Sequence, residues 1–210
     1  MFEPHYRPDS RLSGMGLAFF RANLGGHLAV EHDGMLPGFD SQLFLAPRDG
    51  VGVIALANGA RRGLHWLTPP VEGMVRQLVG VPDEVIRADV PQHPEIWGDL
   101  CVWYRFSAHL TDPGKLAIGP GAEVLVRRGR LSIRALSPLP ALFRGFPLHP
   151  DDEDDPYAFR VDLSNLGLGT ARVVFSGQPG LAATAVHLDF GPVSFERRRP
   201  RGRPRGEVEA

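Results

Sequence analysis

The sequence predicts an α+β chain in two parts: a short antiparallel sheet closed by one helix, then a small antiparallel barrel. Three observations carry this. Apolar runs parted by Gly-Gly, Pro-Gly and Asp-Gly turns occupy residues 16–58. A single apolar stripe at helical spacing follows at 67–79. Beyond residue 96 only short apolar runs remain, separated by turns rich in glycine and proline.

The elements follow in order. "GLAFFR" (Gly16 to Arg21) leads through Asn23-Leu24-Gly25-Gly26 into "HLAVEHD" (His27 to Asp33). After Met35-Leu36-Pro37-Gly38 comes "SQLFLAP" (Ser41 to Pro47), and Arg48-Asp49-Gly50 turns the chain into "VGVIALAN" (Val51 to Asn58). Asp-Gly tolerates the positive φ of tight turns, so these runs read as hairpins. Their near-continuous apolar character predicts a sheet covered on both faces. Leu67, Val71, Met74, Val75, Leu78 and Val79 then mark a helix whose apolar stripe packs on that sheet. Thr68 is its expected N-cap ahead of Pro69-Pro70, and Gly80 its stop.

"VPDEVIRADVPQHPE" (81–95) has three prolines and no periodicity, and reads as a linker. Strands are expected at Trp97–Phe106, Glu123–Arg128, Arg130–Ala135, Tyr157–Leu163, Ala171–Ser176, Thr184–Phe190 and Val193–Arg197, with turns at Pro113-Gly114, Arg128-Gly129 and Gly177–Gly180. Such a series argues for a barrel or sandwich. The expected organisation is therefore 1–80, a linker at 81–95, a barrel at 96–198, and a disordered Arg/Pro-rich tail at 199–210.

Composition narrows the function classes. The 210 residues are 43% hydrophobic and 22% charged, with a net charge of −1, so no global field draws the chain to nucleic acid or acidic lipid. One cysteine, Cys101, rules out an internal disulfide and a thiolate zinc site; lying in an apolar run, it reads as a small buried hydrophobe. Lys115 is the only lysine among 23 basic side chains. Asp151 to Asp155 lacks the ligand alternation and glycine of a calcium loop and reads as solvated. No cofactor or metal is expected. No apolar stretch reaches the length of a membrane helix, and the N-terminus lacks the basic and apolar regions of a secretory signal, which would place a complete chain in the cytoplasm.

"GMGLAFFR", "HDG", "LPGFDSQLFLAP", "DGVGVIALAN" and the helix after them resemble the C-terminal part of the serine β-lactamase and penicillin-binding-protein-like hydrolases, in particular the class C-like group with its esterases and D-amino-acid peptidases. In that family a strand bordering the active site carries a Lys/His-x-Gly triplet. It is followed by a Gly-Phe loop, a long strand, a tight turn and a strand ending in Asn. His32-Asp33-Gly34 matches the His form. The resemblance implies that His32 holds a substrate carboxylate or tunes proton transfer, that Gly34 lets substrate approach, and that the Met35 backbone N–H donates to the oxyanion.

The rest of the family's site is absent. Lys115 has Asp112 three residues before it, so there is no Ser-x-x-Lys. Tyr6, Tyr104 and Tyr157 are followed two places on by Pro8, Phe106 and Phe159, so there is no Tyr-x-Asn; no Gly-x-Ser-x-Gly stands in for them. The reading is a β-lactamase-related serine hydrolase portion, inactive alone, whose sheet has lost the cover of one face. Its expected partner is a missing N-terminal catalytic segment or a second copy. "WGDLCVWYRF", "VRRGRLSIR" and "VSFERR" resemble the lipocalin-like barrel that many such hydrolases carry, with Trp97, Trp103, Tyr104 and Phe106 as its core. The alternative is a non-catalytic small-molecule-binding or regulatory module built on that barrel.

Overall fold

The computed structural model describes residues 1–59, 65–106, 118–177, 180–189 and 193–197. The first sheet contains β1 (Phe20–Leu24), β2 (His27–Leu36), β3 (Phe39–Ala46) and β4 (Val51–Ala57), an antiparallel meander in that spatial order. Helix α1 (Thr68–Val79) follows it. The second sheet contains β5 (Trp103–Phe106), β6 (Gly121–Arg127), β7 (Arg130–Ala135), β8 (Phe146–Pro147), β9 (His149–Pro150), β10 (Ala158–Asp162), β11 (Thr170–Ser176), β12 (Ala185–Leu188) and β13 (Val193–Arg197). Short helices α2 (Trp97–Leu100) and α3 (Pro140–Arg144) accompany it. The described chain is thus mostly antiparallel β with few helices.

Two-residue turns fix the register of the first sheet. Gly25-Gly26 joins the pair Leu24 and His27, and Pro37-Gly38 joins Leu36 and Phe39. That places Leu24, Ala29, Phe44 and Ala46 on one face, against Val71 and Val75 of α1. Burying each valine contributes about 1.5–3 kcal/mol. Gly80 ends the helix in the left-handed region at φ 79°, its N–H donating to the Arg76 and Gln77 carbonyls.

Several expectations need correction. The first strand starts at Phe20, not Gly16, because Gly16 to Phe19 form a turn closed by the Gly16 N–H and the Phe19 carbonyl at 2.8 Å. Thr68 makes no cap; its hydroxyl donates to Gln42 Oε1 at 2.7 Å. Met74 and Leu78, expected in the core, are 54% and 61% exposed, since only the Val71–Val75 side of α1 meets the sheet. The face away from α1 is only partly covered: Val30 is buried there, whereas Ile54 and Leu56 are 68% and 80% exposed.

The second sheet runs β8-β7-β6-β5-β13-β12-β11-β10-β9. Its end strands β8 and β9 are separated in sequence by Leu148 alone. The Leu148 N–H donates to the Leu131 carbonyl at 2.9 Å, and the Asp151 N–H to that of Ala158 at 3.1 Å. One short segment therefore nearly closes the sheet into a barrel, and closure removes exposed strand edges. Tyr104, Phe159, Phe175, Phe195, Leu100 and Leu131 fill the interior. Trp97 to Leu100, expected as strand, is helical, and the strand begins at Trp103. The sequence pattern does not predict this closing segment. Lys115, Asp112, the Pro113-Gly114 turn and the tail at 199–210 lie outside the described residues.

Residues 9–13 strap the first sheet to the outer wall of the barrel. Arg11 pairs with Asp9 at 2.8 Å and Asp155 at 3.0 Å and donates to the Phe175 carbonyl at 2.7 Å. Leu12 is buried against Ala158 and Val174. Arg160 pairs with Glu84 and, at 2.7 Å, with Asp151, which also binds Arg172. The acidic run at 151–155 is thus part of an ion-pair network rather than only a solvated loop.

β4 is an edge strand without charge or proline, beside exposed Ile54 and Leu56. Such edges template association. The protein is expected to self-associate with rising concentration in light scattering, and Leu56→Lys to suppress it. A wild-type protein that stays monomeric throughout would count against an active β4 edge.

Candidate functional site

β1 pairs with β2 only from His27 to Glu31. From His32 to Leu36, β3 flanks β2 on one edge, and no described strand or bridge occupies the other. In a two-residue hairpin the closing pair exchanges both hydrogen bonds, and bonded and unbonded positions then alternate. Leu36, Gly34 and His32 therefore bond to β3, and the backbone N–H and C=O groups of Asp33 and Met35 point off the uncovered edge.

His32, Gly34 and Met35 do not converge as side chains. His32 is exposed on the face away from α1, with the Phe19 ring edge-on at 6.2 Å. Gly34 shares that face, and a Cβ there would meet Ser41 Oγ at 2.6 Å. A side chain at position 34 would displace the Ser41 hydroxyl, so the Gly34 position already has a local packing role. Met35 lies on the α1 side, 47% exposed.

The structure brings together a different polar group, on the α1 face. Asp33 accepts from His65 Nδ1 at 2.5 Å, and Asp40 from Trp66 Nε1 at 2.6 Å. Glu31 accepts from Gln42 Nε2 at 2.6 Å, and Gln42 is held by Thr68. His65 has a positive φ of 58°, a conformation non-glycine residues adopt at a cost. The His65 hydrogen bond holds Asp33 below the ordinary carboxylate range and raises His65 in turn. Glu31 goes the other way: burial pushes it up to about 7, against the opposing Gln42 hydrogen bond. The only sequence signal for this cluster was the acidic alternation Glu31, Asp33 along β2.

Glu31, Asp33, His65, Thr68 and Glu72 line a cleft of about 1060 Å³ between the strap, α1 and the outer wall of the barrel. On that wall Asp189 accepts from the Ser13 N–H at 3.2 Å, and burial raises its pKa. Nearby, Ser176 donates to Asp9 at 3.3 Å and contacts His187 Nε2 at 3.0 Å, while Ser194 meets His187 Nδ1 at 2.8 Å. These are the residue types of a catalytic triad in the wrong order: the acid holds the serine instead of the imidazole. His187 is buried in the wall, and burial lowers its pKa. Among the described residues no group of three or more His, Cys, Asp or Glu side chains is placed to hold a metal, and no helix is long and apolar enough to cross a membrane.

No family model and no curated protein matches the chain. Its fold is similar to a crystal structure of SurE with D-Leu, at 16% identity and TM-score 0.51, covering 94% of this chain and 42% of that one. A second SurE structure aligns at 15% identity and TM-score 0.50, covering 92% and 40%. The octameric penicillin-binding protein homologue from Pyrococcus abyssi aligns at 19% identity, covering 93% and 40%, but its TM-score of 0.34 is too low to support an argument. The chain thus spans about two fifths of the length of these structures, and the SurE alignments show likeness of fold alone.

Two pH dependences follow from the opposite shifts. The Asp33–His65 pair stabilises most between the ordinary values of 3.8 and 6.5; its contribution is lost as pH falls from 3.8 through the lowered Asp33 pKa, and as pH rises from 6.5 through the raised His65 pKa. Asp33→Asn should therefore cost on the order of 1 kcal/mol in thermal melts at pH 5.5 and little at pH 9. Glu31 binds its proton more tightly when folded, so it lowers stability as pH rises from 4.5 to about 7. Glu31→Gln should raise Tm at pH 8 by more than at pH 5, with a gain on the order of 2 kcal/mol at the higher pH. Equal effects at both pH values would show that Glu31 titrates normally.

Proposed function

We propose that this chain is the C-terminal portion of a β-lactamase-related serine hydrolase, acting in acyl transfer on an amide, ester or β-lactam, and inactive alone. The uncovered edge of β2 carries the reading. Asp33 and Met35 amides point off a strand that β3 holds rigid, where a donor to a developing oxyanion belongs. The His32-Asp33-Gly34 triplet and the order of elements after it agree with the family's arrangement. In this reading the Met35 N–H is an oxyanion donor and His32 orients substrate from the opposite face.

The nucleophile must come from elsewhere, because neither Ser-x-x-Lys nor Tyr-x-Asn occurs in these 210 residues. A preceding segment or a second chain supplies it, seated against the open edge and the bare Ile54 and Leu56 face. The barrel is the lipocalin-like companion of this site. The alternative, a small-molecule-binding module, is favoured by the cleft rather than by the barrel interior, which side chains fill.

Incubation of the purified chain with a chromogenic β-lactam, a p-nitrophenyl ester and a labelled acyl-phosphonate tests the proposal. The expected outcome is no turnover and no stoichiometric label. Activity should appear when a segment bearing Ser-x-x-Lys and Tyr-x-Asn is supplied, and Met35→Pro, which removes the N–H, should abolish it. Stoichiometric labelling of any serine in the isolated chain would overturn the reading.

A further inference from the structure

The cleft contains a carboxyl group whose surroundings identify a ligand chemistry. Glu31 has Phe20 and Phe44 as its Cα partners on the two neighbouring strands, and all three side chains share the α1 face. Its carboxyl accepts from Gln42 Nε2 at 2.6 Å, and Thr68 fixes Gln42 in turn, so the acid is held in place. It forms no ion pair with any cation among the described residues.

The cations around it are engaged elsewhere. Arg76 lies between Glu72, at 2.7 Å, and Glu84. Arg160 and Arg172 hold Asp151, His65 holds Asp33, and Arg11 holds Asp9 and Asp155. Arg7 and Arg21 donate to strap carbonyls, those of Leu12 at 2.7 Å and Ser13 at 2.6 Å. Glu31 opens beside Phe20 on a cleft of about 1060 Å³, and Phe44, 1% exposed, backs it from the core.

A protonated amine satisfies both features at once. It forms a charge-assisted hydrogen bond with the carboxylate and a cation–π contact with a ring face. We propose that the cleft binds a primary ammonium group, seated on Glu31 beside Phe20. This site does not depend on the acyl-transfer reading and lies on a different face of β2 from His32. Burial brings Glu31 to about 7, so an ammonium ligand selects the ionised form and displaces its proton. The charged groups that share the cleft with Glu31 are Asp33 and His65, Glu72 and Arg76 on α1, Glu84 beyond it, Arg7, Arg11 and Arg21 at the strap and β1, and Arg160, Arg172 and Asp189 on the barrel wall.

Calorimetric titration of the full chain with n-butylammonium chloride tests this, with n-butanol and potassium chloride as controls. Saturable binding is expected for the ammonium alone, weakening from pH 8 to pH 6. Glu31→Gln should weaken it by roughly tenfold or more and remove the pH dependence. Phe20→Leu, which keeps apolar bulk without a ring, should weaken it roughly threefold and guards against a folding failure in the first variant. Equal binding of butanol, unchanged affinity in a folded Glu31→Gln protein, or no saturable binding at tens of millimolar would overturn the proposal. So would a loss seen in Asp189→Asn but not in Glu31→Gln.

Discussion

The pairing of β2 with β3, from Val30 opposite Leu45 to Leu36 opposite Phe39, is the constraint on which the rest depends. The side-chain period of a strand is two, so a slip of one residue would exchange the faces. Glu31 and Asp33 would leave the cleft, and His32 would turn towards α1. The same register decides which amides leave the sheet: those of Asp33 and Met35, not Gly34. Two short turns hold it in place, and both hairpins independently require the same alternation.

Glu31 and Asp33 show how strongly the surroundings govern a carboxyl group. They lie two residues apart on one strand and face the same way, yet their proton affinities move in opposite directions. Asp33 has an imidazole to share its charge. Glu31 has an amide donor and aromatic neighbours, and desolvation outweighs the single hydrogen bond. An acid poised near neutrality in a cleft is a group that a ligand can act on, whereas the Asp33–His65 pair is already satisfied.

The two sheets meet through ion pairs and one buried leucine rather than a broad apolar seam. Arg160 of the barrel links Asp151, which also binds Arg172, to Glu84, which also pairs with Arg76 of α1. Such contacts position surfaces without filling the volume between them. The cleft is the space left where the strap and α1 stand off from the barrel wall. Two acids that line it, Glu31 and Asp189, come from opposite sides of this joint.

The sequence by itself determined the strands from His27 to Ala57, their turns, the helix stop at Gly80 and the short-strand texture beyond residue 96. Each depends on side-chain period or turn chemistry within a few residues, which a linear chain displays. It also placed His32 and Asp33 at the end of one strand, which the structure carries on through Gly34 and Met35 to Leu36. Only the tertiary structure decided that Asp33 meets His65, that Gln42 and Thr68 hold Glu31, and that the strap buries Leu12 on the barrel. It alone turned Met74 and Leu78 outward, and made a closing strand pair of Phe146 to Pro150, whose two prolines disguise it. These outcomes join residues tens of positions apart, where packing and desolvation choose the partner and local pattern is silent.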